Sequence, residues 1–204
     1  MPATYTKLVA DREEIFSVKN WLKTNKVPSE FLIDEAEQAI YERLRVREMI
    51  GTPATGSIAQ DASSLTLPSG FRQSIKFLYT TAGSWPISLR TLPELKGSRI
   101  YNSSGQLTQG RPVTYAIDGT SAQFECRALA AYPYEWTFYG TPTSLGPTNE
   151  SNFLLTRYLG LFRAAVCMKG WEYLREPNEQ AYWAQRLAEE LYTANKENDQ
   201  ALAG

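Results

Sequence analysis

The 204-residue chain contains no histidine. Imidazole is the commonest general base and metal ligand near neutral pH, so its absence excludes any Ser-His-Asp or Cys-His arrangement. Two cysteines, Cys126 and Cys167, are too few for a zinc site of their own. They suffice in number for one disulfide, but their spacing gives no sign of it. Reduced, buried thiols are the expectation, since free Cys is among the most buried residue types. Net charge is also missing. Lys plus Arg is 21 and Asp plus Glu is 22, a balance of −1, so no global basic field draws the chain onto nucleic acid. There is no G-x-x-x-x-G-K or G-x-G-x-x-G phosphate loop. Asp61, Asp118 and Glu150 stand singly, so neither a metal nor a cofactor is expected. The first residues, MPATYTKLVADREEIF, lack an apolar run with a small-residue cleavage site. The most apolar window, LGLFRAAVCM, is interrupted by Arg163 and too short for a bilayer. Synthesis in the cytoplasm and no membrane partner are the expectations.

What is present is sharply zoned. Hydrophobic residues make up 43%, enough for a core. Residues 51–150 hold 10 of the 13 glycines, 8 of the 11 prolines and 12 of the 25 aromatic residues. Gly and Pro at that density break helices, and aromatics favour pleated surfaces. The middle therefore reads as β and the ends as helix. A first helix is expected at about 11–24, with Ile15, Val18 and Leu22 at helical spacing. A second follows an N-cap at Ser29, carries Ile33, Ala36, Ile40 and Leu44 on one stripe, and stops near Gly51. Acids at 30, 34 and 35 and arginines at 43, 45 and 47 suit its dipole. The arginines allow a phosphate or DNA contact, but a solvated last turn is the plainer reading.

In the middle, LPSGFRQSIKFLY enters a strand with Ile75, Phe77 and Tyr79 on one side. Asp118-Gly119 predicts a type I′ hairpin, with Tyr115 and Ile117 before it and Phe124 and Cys126 after it. YPYEWTFYG alternates Tyr134, Trp136 and Phe138. Five or six strands in a small antiparallel barrel or sandwich are predicted. Beyond residue 150 the sequence predicts one helix over 151 to about 174, apolar around most of its circumference, and a last helix from Pro177 with Trp183, Leu187 and Leu191 buried. The tail, NKENDQALAG, reads as polar and loose. The fold class predicted is α+β: a four-helix bundle made of both chain ends (1–52 and 148–195), an inserted antiparallel β-barrel or sandwich (53–147) and a tail (196–204).

Chemistry is scarce. Glu125 and Glu135 sit on predicted strands and make a weak glycosidase pair; exposed strand carboxylates are the plainer reading. Trp85, Tyr132, Tyr134 and Trp136 suit either a carbohydrate-stacking platform on a helical scaffold or the core of a small β-domain.

The order of landmarks resembles a known family. VKNWLKTNKVPSEFLIDEAEQAIYERLRVREM carries a Trp-Leu helix, a Pro-marked break and an x-F-I/L-x-x-A-E-x-x-I helix. LTLPSGFRQSIKFLY, GRPVTYAIDG and GPTNESNFLLTRYLGLFRAAV follow in register. Together, over about residues 10–195, they resemble the head-to-tail adaptor (connector) proteins of short-tailed double-stranded DNA bacteriophages, typified by the phage SU10 adaptor. One departure is the single proline in ALAAYPYEWTFYG, where the family often has P-x-P. The resemblance implies a non-enzymatic virion protein assembled in the host cytoplasm. It implies a homo-oligomeric ring, a dodecamer, below the portal protein, which extends the channel for genomic DNA and docks tail nozzle and fibre proteins. Tyr158, Phe162, Arg163, Asn195, Lys196 and Leu202 are the expected subunit or portal contacts. Trp85, Tyr132 and Tyr134 are the expected partner surface of the β-domain.

Overall fold

The computed structural model describes residues 4–10, 29–81 and 84–203, with side chains for all of these except 10, 29 and 199–203. The protein is α+β. The helices are α1 (Tyr5–Ala10), α2 (Ser29–Arg43), α3 (Leu92–Ser98), α4 (Phe153–Arg157), α5 (Leu159–Leu174) and α6 (Pro177–Ala203). The strands are β1 (Ala54–Ile58), β2 (Ser64–Thr66), β3 (Phe71–Tyr79), β4 (Ser88–Leu89), β5 (Gln109–Gly110), β6 (Thr114–Asp118), β7 (Ser121–Phe124), β8 (Arg127–Ala128) and β9 (Tyr132–Gly140). The chain divides into two compact units, one of Met1–Met49 with Pro142–Gly204 and one of Ile50–Thr141. The helix expected at about 11–24 lies outside the described residues.

In the helical unit α5 packs against both α2 and α6. Seven of its residues, from Leu161 to Gly170, are buried. The stripes that face inward from its neighbours are Leu32, Ile33, Ala36 and Ile40 of α2 and Leu187, Leu191 and Ala194 of α6. The all-round apolar character of α5 is thus absorbed within the chain itself. The single helix expected over 151–174 is two, because Tyr158 leaves helical geometry (φ −121°, ψ 41°). Its ring stands edge-on to Phe153 at 6.0 Å and lies under the Arg157 guanidinium. α5 ends on Arg175 in the left-handed region (φ 59°), and its last carbonyls accept the N–H groups of Arg175 and Glu176. Pro177 then opens α6.

The second helix stops at Arg43, well before Gly51. Arg45 ends it by donating to the carbonyls of Tyr41, Glu42 and Leu44 at 3.2, 3.0 and 2.7 Å. The segment expected to be a loose tail is helical instead: α6 runs to Ala203. Asn195 accepts from the Arg45 N–H (2.7 Å) and donates to the Arg43 carbonyl (3.1 Å). Asn198 accepts from the Arg47 N–H at 2.8 Å. Two polar residues one turn apart therefore satisfy backbone groups at the end of α2.

The β unit holds three sheets, ordered β1-β9-β3, β2-β7-β6-β4 and β5-β8, none closed into a barrel. The long pairings are antiparallel, while the two-residue pairs β4–β6 and β5–β8 run parallel. Asp118 pairs with Ser121, so the hairpin loop is Gly119-Thr120, one residue later than predicted. Only Gly119 has positive φ (58°), which suits a type II′ turn rather than I′. β3 is irregular opposite β9 at Arg72 and at Ile75. The second irregularity reverses the alternation: Ser74 faces the core with Phe77 and Tyr79, and Ile75 is turned out to solvent. α3, absent from the sequence reading, begins where Thr91 N–H and Oγ1 donate to the Glu94 carboxylate at 3.0 and 2.9 Å.

Candidate interaction surfaces

Aromatic rings build the β-unit core. Phe77 stacks on Trp136 at 4.4 Å and 9°, and Tyr115 meets both rings edge-on. Ser74 Oγ accepts from Trp136 Nε1 (2.9 Å) and from the Tyr115 hydroxyl (2.5 Å), so the two polar tips are paired inside the core. Tyr134 lies across Gly56: a Cβ there would stand 2.8 Å from the Tyr134 hydroxyl oxygen. Gly56 is cross-strand neighbour to Tyr134, and the missing side chain makes room for the ring.

Of the rings proposed as a stacking platform, Trp136 is fully buried. Tyr134 is half-buried against Phe77, and Tyr132 against Tyr79. Trp85 is exposed, with the Arg111 guanidinium 5.7 Å from its ring and 4.6 Å from that of Tyr79. One exposed ring and one buried ring do not make a common sugar platform. Glu125 is engaged with backbone, accepting from the N–H groups of Val113 (2.6 Å) and Thr114 (3.0 Å). Its partner in the glycosidase reading, Glu135, lies in mid-β9 opposite Thr55 and Leu78.

Cys126 and Cys167 are both buried and free. Burial pushes their thiols up to about 11 and about 12, respectively. Among the described residues no group of three His, Cys, Asp or Glu is placed to hold a metal, and no helix is long and apolar enough to cross a membrane.

The helical unit contains the most demanding polar site. Glu37 is 1% exposed. One carboxylate oxygen accepts from Asn152 Nδ2 (2.6 Å) and the Tyr41 hydroxyl (3.2 Å); the other accepts from the Leu145 N–H (3.0 Å). Asn152 Oδ1 meanwhile caps α4, accepting from the Leu154 and Leu155 N–H groups. Burial raises the Glu37 pKa, against the lowering effect of its three donors. The carboxylate fastens α2 to the segment that returns the chain to helix. The sequence offered one sign of it: an acid and a tyrosine four apart beside the apolar stripe of α2.

The expected contact residues are scattered over this unit. Phe162 is fully buried and belongs to the core, so it presents no outer surface. Tyr158 is half-buried at the α4–α5 break. Arg163 lies 5.6 Å over the Trp183 ring, hydrogen-bonds Cys167, and has a buried Nε without an acceptor. Asn195 is engaged with α2, as above, and Lys196 is exposed beside the Tyr192 ring. Leu202 is on α6, but its side chain lies outside those described.

A comparison with curated proteins returns no match. A family model described as "SU10 adaptor protein" matches residues 15–203, nearly the whole chain and both units. The chain therefore belongs to the SU10 adaptor protein family, bacteriophage structural adaptors rather than a class of enzyme.

Proposed function

We propose that this protein is the head-to-tail adaptor of a short-tailed phage, assembled in the host cytoplasm and carried in the virion neck. It forms a ring of twelve copies under the portal, extends the DNA channel and receives the tail nozzle and fibres. The family match over residues 15–203 is the observation that carries this reading. The helical unit builds the ring and meets the portal, and the β unit turns to the tail, with Trp85 as its exposed aromatic contact. The charge balance of −1 suits a channel wall that must let DNA pass without gripping it.

The test is electron microscopy of the purified protein mixed with its portal. Closed rings stacked on one face of the portal are expected. Portal particles that stay bare at saturating protein would sink the reading. Lys196→Glu, a change on the exposed face of α6, should weaken portal binding and leave the melting temperature unchanged.

A further inference from the structure

Two grooves flank α5. The first is about 150 Å³ and lined by Phe31, Glu35, Lys169, Glu172 and Tyr173. The second is about 170 Å³ and lined by Gly160, Arg163 and Ala164 of α5 and by Tyr182, Trp183, Arg186 and Glu190 of α6. The α5 residues of the first, 169, 172 and 173, each follow one of the second, 160, 163 and 164, by nine positions. At 3.6 residues per turn nine positions are about two and a half turns, so the grooves open on opposite sides of the helix.

Their chemistry is complementary. The first groove has an acidic border. Lys169 is shared between Glu35 (3.4 Å) and Glu172 (3.1 Å), so two carboxylates face one ammonium and one acid charge is left over. In the same groove, Phe31 and Tyr173 lie 6.3 Å apart and are each about half exposed, an apolar slot in an acidic rim. The second groove presents Tyr182, 56% exposed, beside Arg186 and Arg163. Among the described residues Arg186 reaches an exposed Glu189 at 3.4 Å, the buried Nε of Arg163 has no acceptor, and the groove's one lining acid, Glu190, lies over Gly160. A projecting aromatic with arginines at its side is the kind of anchor that dominates interfaces. A slot with acid around it is what such an anchor fits.

We infer that these two grooves are the two halves of the subunit–subunit contact: Tyr182 and Arg186 of one copy seat in the Phe31–Tyr173 slot of the next, with Arg186 facing Glu172. The occupant of the slot is a second copy of this chain. Different patches on opposite sides make a head-to-tail contact, which closes into a ring by rotation, whereas a two-fold dimer needs one patch that matches itself. This inference rests on the ring reading above and says which faces build the ring.

The experiment uses the full chain mixed with its portal, with wild type, Glu172→Arg, Arg186→Glu and the double variant compared by electron microscopy and sedimentation. Both positions are about half exposed, and melting curves confirm that each variant folds. Each single variant places like charges opposite each other and should need at least about ten-fold more protein to form rings. The double variant restores opposite charges and should recover most of the loss. Wild-type rings together with undiminished single variants would overturn the inference and leave the ring reading standing. Single variants that fail while the double variant fails equally would also overturn it. No wild-type ring on the portal would remove the ring reading and this inference with it.

Discussion

Replacing Glu37 by Leu tests how the helical unit is fastened. The substitution removes the acceptor of three donors: the Leu145 N–H, Asn152 Nδ2 and the Tyr41 hydroxyl. Asn152 and Tyr41 can still pair with each other across 3.2 Å. The Leu145 N–H and one Asn152 proton are left buried without a partner, at about 1–3 kcal/mol each. Removing a buried charge gives part of this back. The expected net loss is about 3 kcal/mol. Glu37→Gln should lose about half as much, because its amide can accept at only one of the two oxygen positions. The assay is urea denaturation followed by helical circular dichroism between pH 4 and 8. Burial raises the Glu37 pKa, so the folded chain holds the proton more tightly than the unfolded chain does. This group's contribution is therefore fully present below 4.5, the ordinary glutamate value, and is lost as pH rises through the folded value. The Gln variant should lack that part of the pH dependence. A Leu variant as stable as wild type at pH 7, or a Gln variant with the wild-type pH slope, would refute the reasoning.

Gly56→Val forces the Tyr134 ring away from β1 and should destabilise the β unit by about 1–3 kcal/mol, read as an earlier loss of tryptophan fluorescence on heating. Asn198→Leu removes the acceptor of the Arg47 N–H and should cost about 1–2 kcal/mol in the same denaturation assay, where a loose tail would cost nothing. Cys126 and Cys167 should label with a thiol reagent only at the rate of unfolding at pH 8, since both are buried and their thiols are held neutral; fast labelling of the native chain would contradict their placement.

The layout into helical ends and a β middle was legible because Gly, Pro and aromatic residues cluster so strongly between 51 and 150. The stripe of α2 was legible from its spacing, and so were Leu187 and Leu191 of α6, whereas Trp183, expected beside them in the core, is half-buried at a groove. What escaped were decisions made by single hydrogen bonds. Asp118-Gly119 is the stronger turn pair by propensity, yet the Tyr115–Phe124 and Asp118–Ser121 pairings place the loop one residue on. Ile75 alternates correctly with Phe77 in sequence, but the extra residue in β3 turns it outward and lets Ser74 hold Trp136 and Tyr115. α3 announced itself in Thr91-x-x-Glu94, a capping signature hidden by the surrounding strand pattern. Asn195 and Asn198 looked like solvent residues because composition cannot tell a polar tail from a polar side chain turned inward to a helix end. Glu37 escaped for the same reason, and Phe162 was chosen as a contact where packing within the chain had already claimed it.

The bonds that complete the helical unit join positions 108 to 152 residues apart. A ribosome making this protein releases α2 long before Asn152, Asn195 and Asn198 exist. The β unit has all of its strands by Gly140, whereas the helical unit must wait until Asn198 has been added. A chain cut short by a nonsense mutation or a stalled ribosome would thus carry a finished sheet domain but an open helical one. Translation itself thus sorts the chains, because only those read through past Asn198 can close the helical unit.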